Sequence, residues 1–116
     1  MSKMNITASV RKANSTASII DIQGEINGQS ENVLMEAYNQ ASSSGARTII
    51  LNFSGLEYMN SSGIGLLVTL LIRVRRQNQR LLAFGLSEHY HEIFEMCRLN
   101  EAIGLYNSEL QAVSAV

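Results

Sequence analysis

The segment Thr48-Ile49-Ile50-Leu51-Asn52-Phe53 is almost continuously apolar, and a second apolar run, Gly63 to Ile72, follows it after a short polar interval. A brief run rich in isoleucine reads as a strand covered on both faces, and such strands belong to sheets packed under helices. In the second run and just beyond it Leu66, Leu67, Leu70, Leu71 and Val74 recur at helical spacing, which predicts a helix from Gly63 to about Gln79. That run is roughly ten residues long, about half of what a membrane crossing needs, so it reads as a buried helix. A buried strand followed directly by a buried helix points to an α/β class.

The rest of the chain continues the alternation. Met4 to Val10 and Ala17 to Ile22 are two β-rich runs joined by polar residues, with a turn expected at Asn14-Ser15 and Gly24 ending the second run. Gln29 to Ser44 carries Val33, Leu34, Ala37, Tyr38 and Ala41 at helical spacing, with Gly45 as its stop. Leu81 to Leu86 reads as another buried strand. Ser87 is the N-cap of a third helix that carries Glu88 in its first turn and runs to about Arg98. Leu105-Tyr106 adds a last short strand, and the tail from Ser108 a short helix. The expected architecture is one domain over 1–116, its core at about 4–107. It has a mixed, mostly parallel sheet of four or five strands, an antiparallel first hairpin, and helices mainly on one side.

A chain of 116 residues can bury roughly two thirds of its unfolded surface without help from cross-links. The formal charge of −1 lacks the basic excess of a nucleic-acid-binding domain, so no direct nucleic-acid partner is expected. One cysteine, Cys97, precludes an internal disulfide and fits a reducing compartment; its apolar neighbours suggest a small core residue. The first residues lack the apolar stretch of a secretion signal, and the expected location is cytoplasmic, with no membrane partner.

In parallel βα units, the loops leaving the carboxyl ends of the strands share one rim, the usual ligand edge of open α/β sheets. Here that rim is expected to hold Gly24 to Gly28, Ser54 to Ser62, and Ser87. The segment Asn60-Ser61-Ser62-Gly63 stands where the buried strand gives way to the apolar helix. Asn and Ser are favoured helix caps, so a purely structural role explains it. A serine there also has its hydroxyl at the surface beside unpaired helix amides, a setting that tolerates added negative charge. Two glycines so early in a helix cost roughly 1 kcal/mol each, which suggests a close backbone approach.

Gly24-Glu25-Ile26-Asn27, followed about thirty residues later by Tyr58-Met59-Asn60-Ser61-Ser62-Gly63-Ile64-Gly65, resembles the bacterial anti-sigma factor antagonists of the STAS family. Their usual pattern is Gly-Glu-Leu-Asp, then Met-Asp-Ser-Ser-Gly-Leu-Gly. The resemblance in element order spans essentially the whole chain. It implies a STAS-like fold and a partner-switching protein without catalysis or cofactor. The unphosphorylated form would bind an anti-sigma factor that is also a serine kinase of the histidine-kinase-like ATPase type. Phosphorylation at Ser61 would end that binding, and a serine phosphatase would restore it. Asn27, Met59, Asn60, Ser62, Gly63 and Ile64 would contribute to the partner surface. The chain departs from the pattern where Asn27 and Asn60 replace the usual aspartates; its one aspartate, Asp21, lies outside both motifs.

Other features carry less. Met59 and Ile64 could form an exposed apolar contact or close the core edge. His89 and His91 are two residues apart on a predicted helix, a poor metal pair, and no metal site is expected. Arg73, Arg75, Arg76 and Arg80 suit a solvated helix end. No P-loop, dinucleotide fingerprint or nucleophile–base pair supports the alternative of a small nucleotide-binding or enzymatic domain. A further alternative, an accessory subunit of a transport or lipid-trafficking complex, would not need a phosphorylatable serine.

Overall fold

The computed structural model describes residues 5–116, and Met4, expected to open the first strand, lies outside them. The elements are β1 (Thr7–Lys12), β2 (Ala17–Ile26), α1 (Glu31–Ser43), β3 (Thr48–Met59), α2 (Ser61–Arg76), β4 (Arg80–Phe84), α3 (Glu88–Met96), β5 (Gly104–Tyr106) and α4 (Glu109–Ser114), with a 3₁₀ turn at Leu99–Glu101. The five strands lie in chain order. β1 is antiparallel to β2, and the pairs β2–β3, β3–β4 and β4–β5 are parallel. The architecture is the α/β sheet anticipated from the alternation of strand and helix patterns.

Alternation within the strands divides the apolar side chains between two layers. Ile20 and Ile22 of β2, Ile49, Leu51 and Phe53 of β3, and Leu81 and Ala83 of β4 face α1, α2 and α3, and pack with Leu34, Tyr38, Leu67, Leu70 and Phe94. Ala17, Ile19, Ile50, Leu82 and Phe84 face the opposite way and are closed by Ala112 of the short α4. Three helices thus cover one face of the sheet, and one six-residue helix covers part of the other. Phe53 and Phe94 meet edge to face at 6.0 Å between centroids.

Several boundaries differ from expectation. β2 does not end at Gly24 but continues to Ile26, and β3 continues from Phe53 to Met59, so the expected loop from Ser54 to Ser62 is largely strand. Each extension supplies the other's ladder: Gly24 pairs with Leu56 and Ile26 with Met59. Two register shifts let the longer β3 accompany β2, and at the first of them Asn52 Oδ1 accepts a bond from the Ser54 amide at 2.9 Å. Gly24 adopts φ +94°, and a Cβ there would overlap the Asn5 carbonyl, so glycine allows the preceding chain to cross this strand closely. Helix α2 begins at Ser61, two residues before Gly63, and ends at Arg76. Val33 and Cys97 were expected inside and are exposed. α3 buries Tyr90 and Phe94, four residues apart, and the chain then leaves the helix, which puts Cys97 at its solvent end.

α4 is fastened by Arg11. Its guanidinium donates to both carboxylate oxygens of Asp21 at 2.7 and 3.1 Å and to both of Glu109 at 2.9 and 2.7 Å. Hydrogen bonding from Arg11 holds both carboxyls below their usual pKa values, with Asn52 adding a second bond to Asp21. Lowered folded-state values stabilise the protein above the ordinary carboxylate range, about pH 4, and the contribution is lost as pH falls below it through the lowered values. The groups are partly solvated, so screening keeps the effect small. Arg11→Ala should lower stability by about 1 kcal/mol or less at neutral pH, and urea melts of the two proteins should draw together as pH falls below the ordinary carboxylate range.

Candidate functional site

Ser61 and Ser62 are the first two residues of α2, and both are exposed. Helix geometry leaves their amides without an intrahelical acceptor. The cap itself is Asn60: it is extended, and its Oδ1 accepts from the Gly63 amide at 2.9 Å. The capping role that sequence alone could assign to any of three polar residues therefore falls to Asn60, and both serine hydroxyls are left at the surface.

Two neighbours fix this helix start. The Asn60 amide donates to the Ile26 carbonyl at 3.3 Å, tying the end of β3 to the end of β2. Gly63 is buried against the same carbonyl: a Cβ at position 63 would lie 2.3 Å from Ile26 O. The β2–α1 turn also approaches the second serine, because a Cβ at Gly28 would stand 3.5 Å from that of Ser62. The two motif segments, far apart in sequence, thus meet on one rim.

The other expected residues divide. Asn27 keeps its side chain within its own turn, donating to Glu25 Oε2 at 2.9 Å and accepting from the Gln29 amide at 2.8 Å. Met59 is only 4% exposed and belongs to the core, which settles it as the core edge and removes it from the exposed partner surface. Its neighbour Tyr58, 50% exposed, is the apolar side chain that faces solvent there. Ile64 is half-buried, packing on the core from the rim. Ser87 is engaged as the cap of α3, its hydroxyl accepting from the Tyr90 amide at 3.3 Å. His89 lies edge to face on Tyr90, whereas His91 sits 3.6 Å from Glu95, one turn further along α3.

Two residues that shape the site escaped sequence reasoning. The buried hydroxyl of Tyr90 accepts from the Met59 amide at 2.9 Å and holds the backbone just before the cap. Ser30, almost fully buried, receives the Asn27 amide at 2.9 Å and braces the β2–α1 turn. Tyr90 could have been found as a buried aromatic one turn before Phe94, because a buried phenol requires a hydrogen-bond partner.

The first turn of α2 contains no acidic residue, and the arginines Arg73, Arg75 and Arg76 occupy the last turn. The helix dipole and the unpaired amides give a positive field at Ser61. A phosphate on Ser61 would sit in that field and in water, at little cost to the fold.

Among the described residues, no helix is long and apolar enough to cross a membrane. The STAS domain family model matches residues 7–112. The anti-sigma-B factor antagonist of Listeria monocytogenes is 26% identical over 106 residues, covering 91% of this chain and 93% of that protein. Among solved structures, an anti-sigma factor antagonist from Mycobacterium paratuberculosis superposes with a TM-score of 0.81 at 18% identity, over 97% of this chain and 94% of that one. The phosphorylated form of the Bacillus cell fate determinant SpoIIAA superposes with a TM-score of 0.71 at 20% identity, over 94% and 98%. With the family model matching nearly the full length, and the five-stranded sheet shared with these structures, the chain belongs to the STAS domain family.

Proposed function

We propose that this protein is a non-catalytic anti-sigma factor antagonist that works by partner switching, with Ser61 as the switch. The observation that carries the reading is the exposed Ser61 hydroxyl at the first residue of α2, on a backbone held by Asn60, Ile26 and Tyr90. The names of the relatives support it, as does the fact that SpoIIAA has been solved both unphosphorylated and phosphorylated. The partner is an anti-sigma factor that is also an ATP-dependent serine kinase, and both proteins act in the cytoplasm. The kinase transfers the γ-phosphoryl of ATP to Ser61 Oγ, which loses its proton, and ADP leaves. A serine phosphatase returns the hydroxyl by hydrolysis.

The chemistry asks little of this chain. The kinase supplies metal, phosphate contacts and base, while the substrate supplies a positioned hydroxyl. Asn60 caps α2 as an aspartate would, and it adds no charge of its own beside the incoming phosphate. Asn60, Ser62 and Ile64 form the contact around Ser61, and Gly63 sets its height on the rim. Incubation with the kinase and ATP should add the mass of one phosphate, and Ser61→Ala should abolish the addition. A phosphate found elsewhere, or none on the wild type, would overturn the assignment.

A further inference from the structure

Helix α2 presents an unusual outer face. Its buried side is formed by Gly63, Leu66, Leu67, Leu70, Leu71 and Val74. Diametrically opposite, at spacings of four, three, four and four, stand Ser61, Gly65, Val68, Ile72 and Arg76. A helix face turned to water ordinarily carries charge, yet α2 has no charged residue from Ser61 to Ile72. Val68 and Ile72 are 38% and 49% exposed. Between them Thr69 turns its hydroxyl back onto the Gly65 carbonyl at 3.2 Å, so the stripe stays apolar. It ends in Arg75 and Arg76, both exposed.

This stripe is complementary to itself. Its midpoint falls between Val68 and Thr69, so two copies packed antiparallel about a two-fold axis there bring unlike ends together. Ile72 of one copy then stands over Gly65 of the other, where a Cβ would meet no described atom within 4 Å, a knob facing an open hole. The same operation sets Ser61 of each copy against Arg75 and Arg76 of the other, about 22 Å from the second such meeting point.

We propose that the outer face of α2 is a self-association surface closed by phosphorylation, with phosphoserine 61 of one copy bound by Arg75 and Arg76 of a second. The proposal rests on the reading of Ser61 as the phosphorylated residue. Without phosphate, the paired apolar stripes are too small for a stable dimer. With it, each interface gains two symmetry-related sets of charge-assisted bonds between arginine and phosphate. The phosphorylated protein would then be kept from its kinase twice over, by repulsion and by covering the surface beside Ser61.

The test uses the full chain with phosphoserine installed at position 61 by chemical ligation, compared with the unmodified chain by sedimentation equilibrium. The modified chain should dimerise about a hundredfold more tightly. Arg75→Glu combined with Arg76→Glu should remove that gain, and Ile72→Glu should weaken the phosphorylated dimer; all three sites are exposed, and unchanged melting curves will verify folding. A phosphorylated chain that sediments as the unmodified one does would overturn the proposal, as would a dimer indifferent to the arginine changes. A chain that stays monomeric while Ile72→Glu impairs kinase capture would assign the stripe to the kinase instead, which also overturns it. Because no kinase is needed to install the phosphate, failure here leaves the partner-switching reading intact; that reading fails by the absence of phosphate transfer.

Discussion

Ser61→Asp should abolish capture by the proposed kinase partner while leaving the fold as stable as before. A surface that docks around a neutral serine must desolvate whatever replaces it, and a carboxylate held there without a counter-charge loses several kcal/mol. Affinity should fall by about two to three orders of magnitude, read by isothermal titration with the purified kinase. Stability should change by about 0.5 kcal/mol or less, because the side chain is exposed, and the dipole of α2 favours the new charge rather than opposing it. Ser61→Ala supplies the converse: it should bind as the wild type does, and ATP should no longer release it. Undiminished binding by Ser61→Asp would show that charge at this position is not what the partner senses. Loss of binding together with a large drop in melting temperature would show that the effect passes through the fold.

The parts of the molecule legible in the sequence are those where one local rule acts alone. The apolar run Thr48 to Phe53, the leucine stripe of α2 and the Ser87 cap each carry a signal that needs no distant partner. The parts that were not legible depend on pairing between segments. Ser54-Gly55-Leu56-Glu57-Tyr58 has the composition of a loop, and it becomes strand because β2 runs past Gly24 to meet it. That extension changes the site. It turns Met59 inward under the Tyr90 hydroxyl, moves the exposed apolar contact to Tyr58, and brings α2 forward so that it starts at Ser61. Cys97 was misplaced for a simpler reason: its apolar neighbours do not all share a face, since Phe94 is buried and Met96 is exposed. The position of Ser61 at a helix start was readable from the cap residues. That Asn60 is the one that caps required a specific bond to be seen.

Gly63 and Gly65, which sequence reasoning treats alike, should respond to alanine with opposite signs. At Gly63 a Cβ would lie 2.3 Å from the Ile26 carbonyl oxygen and 2.9 Å from its carbon, both backbone atoms of a strand end bonded to β3. Neither can yield as a flexible side chain would, so the start of α2 or the β2–α1 turn must move, at a cost of about 1–3 kcal/mol despite the better helix propensity of alanine. At Gly65 a Cβ meets no described atom within 4 Å, so Gly65→Ala should gain the propensity difference, about 0.5–1 kcal/mol. Urea melts with unchanged slopes would measure both. The functional consequence separates them further. Displacing the helix start moves Ser61 relative to the β2–α1 turn across the rim, so Gly63→Ala should slow phosphoryl transfer even in the fraction that remains folded, because the kinase requires the hydroxyl in line with its nucleotide. A Gly63→Ala protein as stable as the wild type, and phosphorylated as fast, would mean that the contact with Ile26 yields easily. The rigid seat on which the Ser61 switch depends would then have to lie elsewhere.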